Sequence, residues 1–288
     1  MEPREGLRCE MLLLTMLCGV AVGVSLGLTG GGGSILAVPL LIYGLGVQPQ
    51  SAVSVSLAAV GVTSFAGTVQ RSLHGLVEVK TGLLFAASGV VGVPLGTWIG
   101  TQLSAPILLI LFAGLMITVA TRMWINATMA PKQVIELTRA ANEILLPTRH
   151  SGLACRRDAQ GQLPLNSRCT AVLLVSGVVT GVLSGLFGVG GGFVIVPALV
   201  LLTSLDIHRA VGTSLFVMAL VSGAGVITHL ISGRSVPLEI VVPFAVGGVA
   251  GLGIGFWGSH RLSPVLLQKI FAVVIVAVAV YVISRSIS

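Results

Sequence analysis

Gly27-Leu28-Thr29-Gly30-Gly31-Gly32-Gly33-Ser34, with Pro39 beyond it, interrupts an apolar run that opens at Met11. The same pattern returns 158 residues later, without a gap, as Gly185-Leu186-Phe187-Gly188-Val189-Gly190-Gly191-Gly192 with Pro197. Glycine has no side chain with which to satisfy exposed backbone groups. Each copy therefore places non-helical backbone within a run long and apolar enough for a bilayer, where such backbone is tolerated only inside packed protein or around a cavity. Two broken apolar segments at corresponding places in two halves are a sequence signature of a transporter binding site.

Composition sets the solvent. Of 288 residues 55% are hydrophobic and 9% charged, against about 25% charged in soluble domains, and the mean hydropathy is +1.04. Several uncharged runs reach the roughly 20 residues that span a hydrocarbon core. The sequence predicts an all-α, polytopic integral membrane protein. A net charge of +7 would suggest nucleic acid in a soluble chain. Here seven basic residues (Arg122, Lys132, Arg139, Arg149, Arg156, Arg157 and Arg168) gather on or beside one central loop, which reads as a topology signal. The N-terminal run superficially resembles a signal peptide, but it leads directly into the first glycine cluster and has an equivalent at 170–187, so it is read as structure. Cys9, Cys18, Cys155 and Cys169 show no metal-ligand or CxxC spacing and are read as incidental thiols, so neither metal nor cofactor is expected.

The 158-residue offset extends far past the glycines. It pairs Gly23 with Gly181, Ala52-Val53 with Ala210-Val211, Ser56-Leu57 with Ser214-Leu215, Ser64 with Ser222, Gly67 with Gly225, Gly89 with Gly247, and Pro106 with Pro264. One offset held over nearly a hundred positions implies duplication. The expected organisation is a first transmembrane repeat at 11–124, a charged cytoplasmic linker at 125–169 with a short amphipathic helix around 132–145, and a second repeat at 170–284. Apolar segments fall at 11–29, 34–46, 51–70, 81–101 and 106–124, then at 170–187, 192–204, 209–230, 238–257 and 264–284.

Two topologies fit these segments. If 34–46 and 192–204 complete the segment before them, each half has four spans and thirteen of the sixteen Lys and Arg lie inside. A continuous helix over 11–46 would then measure about 54 Å, so part of it must turn back. If each short segment crosses alone, each half has five spans and the repeats are inverted; Arg4, Arg8, Arg234 and Arg285 then lie outside.

A helix beginning after each glycine cluster would present unpaired amides and a dipole that favour an anion. This makes Gly30, Gly31, Gly32, Gly33 and Ser34, with Gly188, Gly190, Gly191 and Gly192, candidate substrate ligands, the alternative being that the glycines permit only tight packing. No Gly-Lys-Ser/Thr follows, so neither cluster is a nucleotide loop. Hydroxyls at equivalent places, Ser56, Ser64, Thr213, Ser214 and Ser222, are candidates to complete the hydrogen bonding; in a bilayer such groups also bond to neighbouring helices. Arg71 and His229 are candidates for electrostatic assistance, against a reading as ordinary membrane-boundary charges. Gly92, Gly96 and Gly100, like Gly247, Gly251 and Gly255, are spaced by four and would allow close contact within the protomer or between protomers of a homo-oligomer. Trp98, Trp124 and Trp257 stand near span ends, as interfacial anchors do. No buried Asp pair and no contiguous Ser-His pair exists for an intramembrane enzyme, since Ser222 and His229 lie seven residues apart.

The doubled Gly-Leu-x-Gly-x-Gly-Gly cluster with its following proline resembles the TauE/SafE sulfite exporter family. Gly27, Leu28, Gly30, Gly32, Gly33 and Pro39 carry the first signature; Gly185, Leu186, Gly188, Gly190, Gly191 and Pro197 carry the second. Ala210-Val211-Gly212-Thr213-Ser214 is similar to the family's Ala-x-Gly-Thr-Ser stretch, whereas Ser54-Val55-Ser56 departs from Gly-Thr-Ser in the first half. The resemblance implies a bacterial-type, multi-pass inner-membrane permease for a small sulfur-containing or organic anion, such as sulfite, a sulfonate, sulfoacetate or thiosulfate. It implies alternating access, with a proton or sodium ion as candidate coupling partner. An anion channel and a non-transporting sensor or assembly protein are the alternatives.

Overall fold

The computed structural model describes residues 3–141, 167–203, 205, 207–233, 236–259 and 264–287. The elements are α1 (Pro3–Thr29), α2 (Gly32–Gly44), α3 (Pro49–Ser72), α4 (Val79–Gln102), α5 (Ala105–Ala141), α6 (Ser167–Phe187), α7 (Gly192–Thr203), α8 (Ile207–Ile231), α9 (Leu238–Ser259) and α10 (Pro264–Ile287). Seven stretches are long and apolar enough to cross a membrane; α2 and Lys269–Ser284 are shorter apolar helices. The chain is an all-α, multi-pass membrane protein. The separate helix expected around 132–145 is not formed as such: α5 runs unbroken to Ala141, and the remainder of that segment lies outside the described residues. Cys169 is disulfide-bonded, which corrects its reading as an incidental thiol, while Cys18 is a buried free thiol.

Helix directions follow from which residues meet. Gly61 faces Ser222, Gly67 faces Leu215 and Gly225 faces Leu57, so α3 and α8 cross antiparallel. Numbers rise together where Gly19, Gly23 and Gly27 meet Phe244, Gly248 and Leu252, so α1 and α9 run parallel. The same holds for α4 with α6, where Gly92 meets Val178 and Gly96 meets Val182, and for α3 with α9, where Gly67 meets Leu252. Because α1 and α3 both run parallel to α9, α2 must carry the chain back between them. Four elements, α4 to α7, lie between α3 and α8, and the antiparallel run of those two helices is the one that the second of the two topologies expects.

Glycine sets how closely these helices approach. A Cβ on Gly23 would lie 2.7 Å from the carbonyl carbon of Gly248 and 2.9 Å from its Cα. Gly181 stands in the same relation to Gly89, at 2.8 and 2.9 Å. Backbone cannot move aside as a flexible side chain can, so only hydrogen fits there, and close contact provides the dispersion that holds helices together in lipid. Of the two expected glycine ridges, Gly92 and Gly96 meet α6 and Gly247, Gly251 and Gly255 meet α1 in this way, while Gly100 is in ordinary contact with Leu186 of α6. These contacts lie within the protomer, the first of the two uses expected for the ridges. Apolar side chains instead cover the outside, and Trp98 and Trp257, both 64% exposed, project there near helix ends.

Gly23→Leu is expected to cost about 1–3 kcal/mol or more through overpacking and to lower the thermal midpoint in detergent. Gly114→Ala, where nothing lies within 4 Å of the new Cβ, is expected to leave that midpoint unchanged or raise it.

Candidate functional site

Helix α1 ends because Gly30 adopts φ +73°, a left-handed conformation open to glycine without strain. Its amide closes on Leu26 O at 2.7 Å. Thr29 Oγ1 donates to Ser25 O at 2.8 Å and accepts the Gly33 amide at 3.2 Å, while Ser34 Oγ donates to Gly31 O at 2.8 Å. The second break repeats the first step: Gly188 has φ +72° and donates to Ser184 O at 2.8 Å. Gly190 and Gly191 are also left-handed, and Gly191 O then accepts the amides of Val194 and Ile195 at 3.0 and 3.2 Å to open α7.

The two breaks touch. A Cβ on Gly31 would lie 2.5 Å from Gly192 O, and one on Gly192 would lie 2.8 Å from Gly31 Cα. Among the described residues the amides of Gly31, Gly32, Gly190 and Gly191 donate to no acceptor. The two breaks meet within the helix bundle, beside the crossing of α3 and α8, where Gly190 meets Val60 and Ser222.

The hydroxyls divide into two groups. Ser56 Oγ donates to Gly188 O at 2.7 Å, and Ser214 Oγ shares its proton between Gly30 O at 2.7 Å and Val211 O at 2.8 Å. Ser56 and Ser214 stand 158 positions apart, as do Gly30 and Gly188. Each serine thus clasps the break in the other half of the chain, and its proton is committed to backbone. Thr213 Oγ1 accepts the Glu78 amide at 3.0 Å and so anchors the turn before α4.

Ser64 and Ser222 differ. Both are fully buried and neither Oγ has a hydrogen-bond partner. Ser222 Oγ lies 2.9 Å from where a Cβ on Gly190 would sit. Ser25 shares this character: it is 3% exposed, its Oγ is unpartnered, and it lies directly against Gly33. Ser184 is likewise buried and unpartnered. Buried hydroxyls are ordinarily satisfied, so these unpartnered ones are candidates to bond a ligand. Sequence reasoning missed Ser25 and Ser184 because the 158-residue offset pairs them with Leu183 and Leu26.

Arg71 and His229 sit away from the point where the breaks touch. Arg71 is 5% exposed, with its guanidinium 5.1 Å from the centre of the Phe256 ring, and His229 Nδ1 is 3.1 Å from Ser54 Oγ.

Ser56→Ala and Ser214→Ala each leave a buried glycine carbonyl without its donor and are expected to cost about 1–3 kcal/mol. Ser64→Ala and Ser222→Ala remove hydroxyls that have no partner and are expected to be neutral or stabilising, read as thermal midpoints of the purified protein.

Comparison with known proteins agrees with this geometry. Residues 15–282 match the family model described as sulfite exporter TauE/SafE. A "Probable membrane transporter protein" of Xylella fastidiosa strain Temecula1 is 36% identical over 282 residues, covering 96% of this chain and 97% of the relative. "Probable membrane transporter protein YunE" of Bacillus subtilis is 26% identical over 277 residues, covering 92% and 95%. A "Probable membrane transporter protein" of Haemophilus influenzae is 26% identical over 295 residues, covering 93% and 97%. No solved structure matches. The chain belongs to the sulfite exporter TauE/SafE family and is a membrane transporter, not an enzyme.

Proposed function

We propose that this transporter carries a small sulfur-containing or organic anion, of the sulfite, sulfonate, sulfoacetate or thiosulfate type, by alternating access. The observation that carries the reading is the meeting of Gly31 and Gly192, with the unpartnered hydroxyls of Ser25 against Gly33 and of Ser222 against Gly190, and with Ser64 buried and likewise unpartnered. Amides donate only, and hydroxyls can donate, so the site offers hydrogen bonds to negative oxygen without a fixed cation. A ligand bound this way can leave again, as transport requires.

The chain is read as two inverted repeats, 11–124 and 170–284, related by an axis through the α3–α8 crossing. Glycine-broken helix pairs α1–α2 and α6–α7 bring one break from each repeat to that axis. Support comes from the exchanged bonds Ser56–Gly188 and Ser214–Gly30 and from the antiparallel run of α3 against α8. In this topology twelve of the sixteen Lys and Arg fall on the side of the 125–169 linker, which supports a cytoplasmic linker and an inner-membrane location. Rocking of one repeat against the other around the breaks would open the site to each side in turn, with a proton or sodium gradient as the driving force.

The test is uptake of radiolabelled sulfite, thiosulfate and sulfoacetate into proteoliposomes. Saturable flux of one anion is expected, with Ser222→Ala and Ser64→Ala each raising KM roughly tenfold, as loss of one hydrogen bond to a charged ligand would. Gly32→Ala adds a Cβ only 3.3 Å from Thr29 Oγ1, at a position without left-handed backbone; it is expected to fold and to impair flux. Unchanged KM in all three variants, or no flux of any anion under either gradient, would sink the reading.

A further inference from the structure

Arg71 and His229 occupy positions 158 residues apart, near the C-terminal ends of α3 and α8. Since those helices cross antiparallel, the two residues lie at opposite ends of the crossing. Each packs on the other half of the chain at a matching place. Arg71 Cδ is 3.5 Å from where a Cβ on Gly212 would sit, and His229 Nδ1 is 3.1 Å from Ser54 Oγ; Gly212 and Ser54 are themselves 158 apart. The next residue inward matches as well, for Val211 seats Gly30 and Val53 seats Gly188. One structural position is thus filled twice, by a guanidinium over glycine at one end and by an imidazole over serine at the other.

A boundary arginine normally extends its charge into water. Arg71 does not: it is 5% exposed, and among the described residues its guanidinium meets no carboxylate, only the face of Phe256. The nearest acid in sequence, Glu78, accepts a hydrogen bond from Thr81 Oγ1 at 3.2 Å. Holding a guanidinium in that setting is unfavourable unless an anion offsets it. Its five donors suit a planar or tetrahedral oxyanion, which an imidazole with at most two donors holds less firmly. The small residue beneath Arg71 leaves room for the longer side chain, whereas Ser54 fixes the shorter ring.

We infer that Arg71 is an anion ligand at one face of the carrier and that the His229–Ser54 pair is its weaker counterpart at the other, so that the two faces bind the transported oxyanion with unequal affinity. This rests on the anion-transport reading and gives it a direction: in the proposed orientation Arg71 faces the cytoplasm, and KM for efflux is the lower.

Radiolabelled sulfite, thiosulfate and sulfoacetate are the probes, with KM and kcat measured separately from each face in right-side-out and inside-out membrane vesicles carrying the full chain. Arg71→Gln is expected to raise KM about tenfold at its own face, the loss of one charge-assisted contact. It should leave KM at the other face little changed, with the ratio of the two kcat values shifting in proportion because the driving force fixes the ratio of the two kcat/KM values, and Arg71→Lys should recover part of the loss. The double variant Ser54→Gly with His229→Arg copies the first end onto the second and is expected to lower KM there toward the Arg71 value. Equal effects of Arg71→Gln at both faces, a fall in kcat with both KM values intact, or a double variant that transports with unchanged KM would overturn the inference while anion transport by the wild type stands. Absence of wild-type flux for all three anions would remove both readings together.

Discussion

The structure depends on how it satisfies backbone exposed by two helix breaks in a medium without water. Every N–H and C=O released from α1 at Thr29 and from α6 at Phe187 needs a partner from within the fold or from a ligand. The carbonyls are answered at once, Gly30 O by Ser214 and Gly188 O by Ser56, each from the opposite half. Among the described residues the amides of Gly31, Gly32, Gly190 and Gly191 are not. That difference is chemical as well as geometric. In the proposed reading, answered acceptors and unanswered donors would suit an anion without a lysine or arginine at its centre.

The same exchange makes the two halves inseparable. First-half α1 packs along second-half α9, second-half α6 packs along first-half α4, and in both pairs glycine brings backbone against backbone. Neither half could hold its own break: the serine that clasps Gly30 belongs to α8, and the one that clasps Gly188 belongs to α3. Stability and site geometry therefore share one interface. Rearrangement about the axis between the halves would move the two breaks relative to each other, which is the motion that alternating access needs. Departures from the symmetric pattern stand out against this background. Ser54 where the second half has Gly212, and His229 where the first has Arg71, lie together in space although the sequence separates them by 175 residues.

Much of this was legible in the order of residues. The 158-residue offset located both breaks, and the left-handed backbone at Gly30 and Gly188 falls within the quoted glycine runs. Eight of the ten apolar segments match helices to within three residues at both ends, while α1 begins eight residues earlier and α5 runs seventeen residues further than the apolar pattern. Less legible was the work assigned to each hydroxyl. Ser56, Ser214, Ser64 and Ser222 look alike in sequence, being small and polar and each matched by offset, yet two clasp backbone and two have no partner. Ser25 carried no signal because its counterpart is Leu183. Thr213, named among the candidate ligands, instead holds the Glu78 amide.

The sequence by itself determined the solvent, the helices, the places where helices must break, and the family, because hydropathy, glycine conformational freedom and an internal offset are properties of residues in order. Only the tertiary structure decided the direction of each pass, the partner of each glycine ridge, and which serines remain free. Those depend on which side chain of one half reaches which carbonyl of the other, and a hydrogen bond of 2.7 Å between Ser214 and Gly30 joins residues that no local pattern relates.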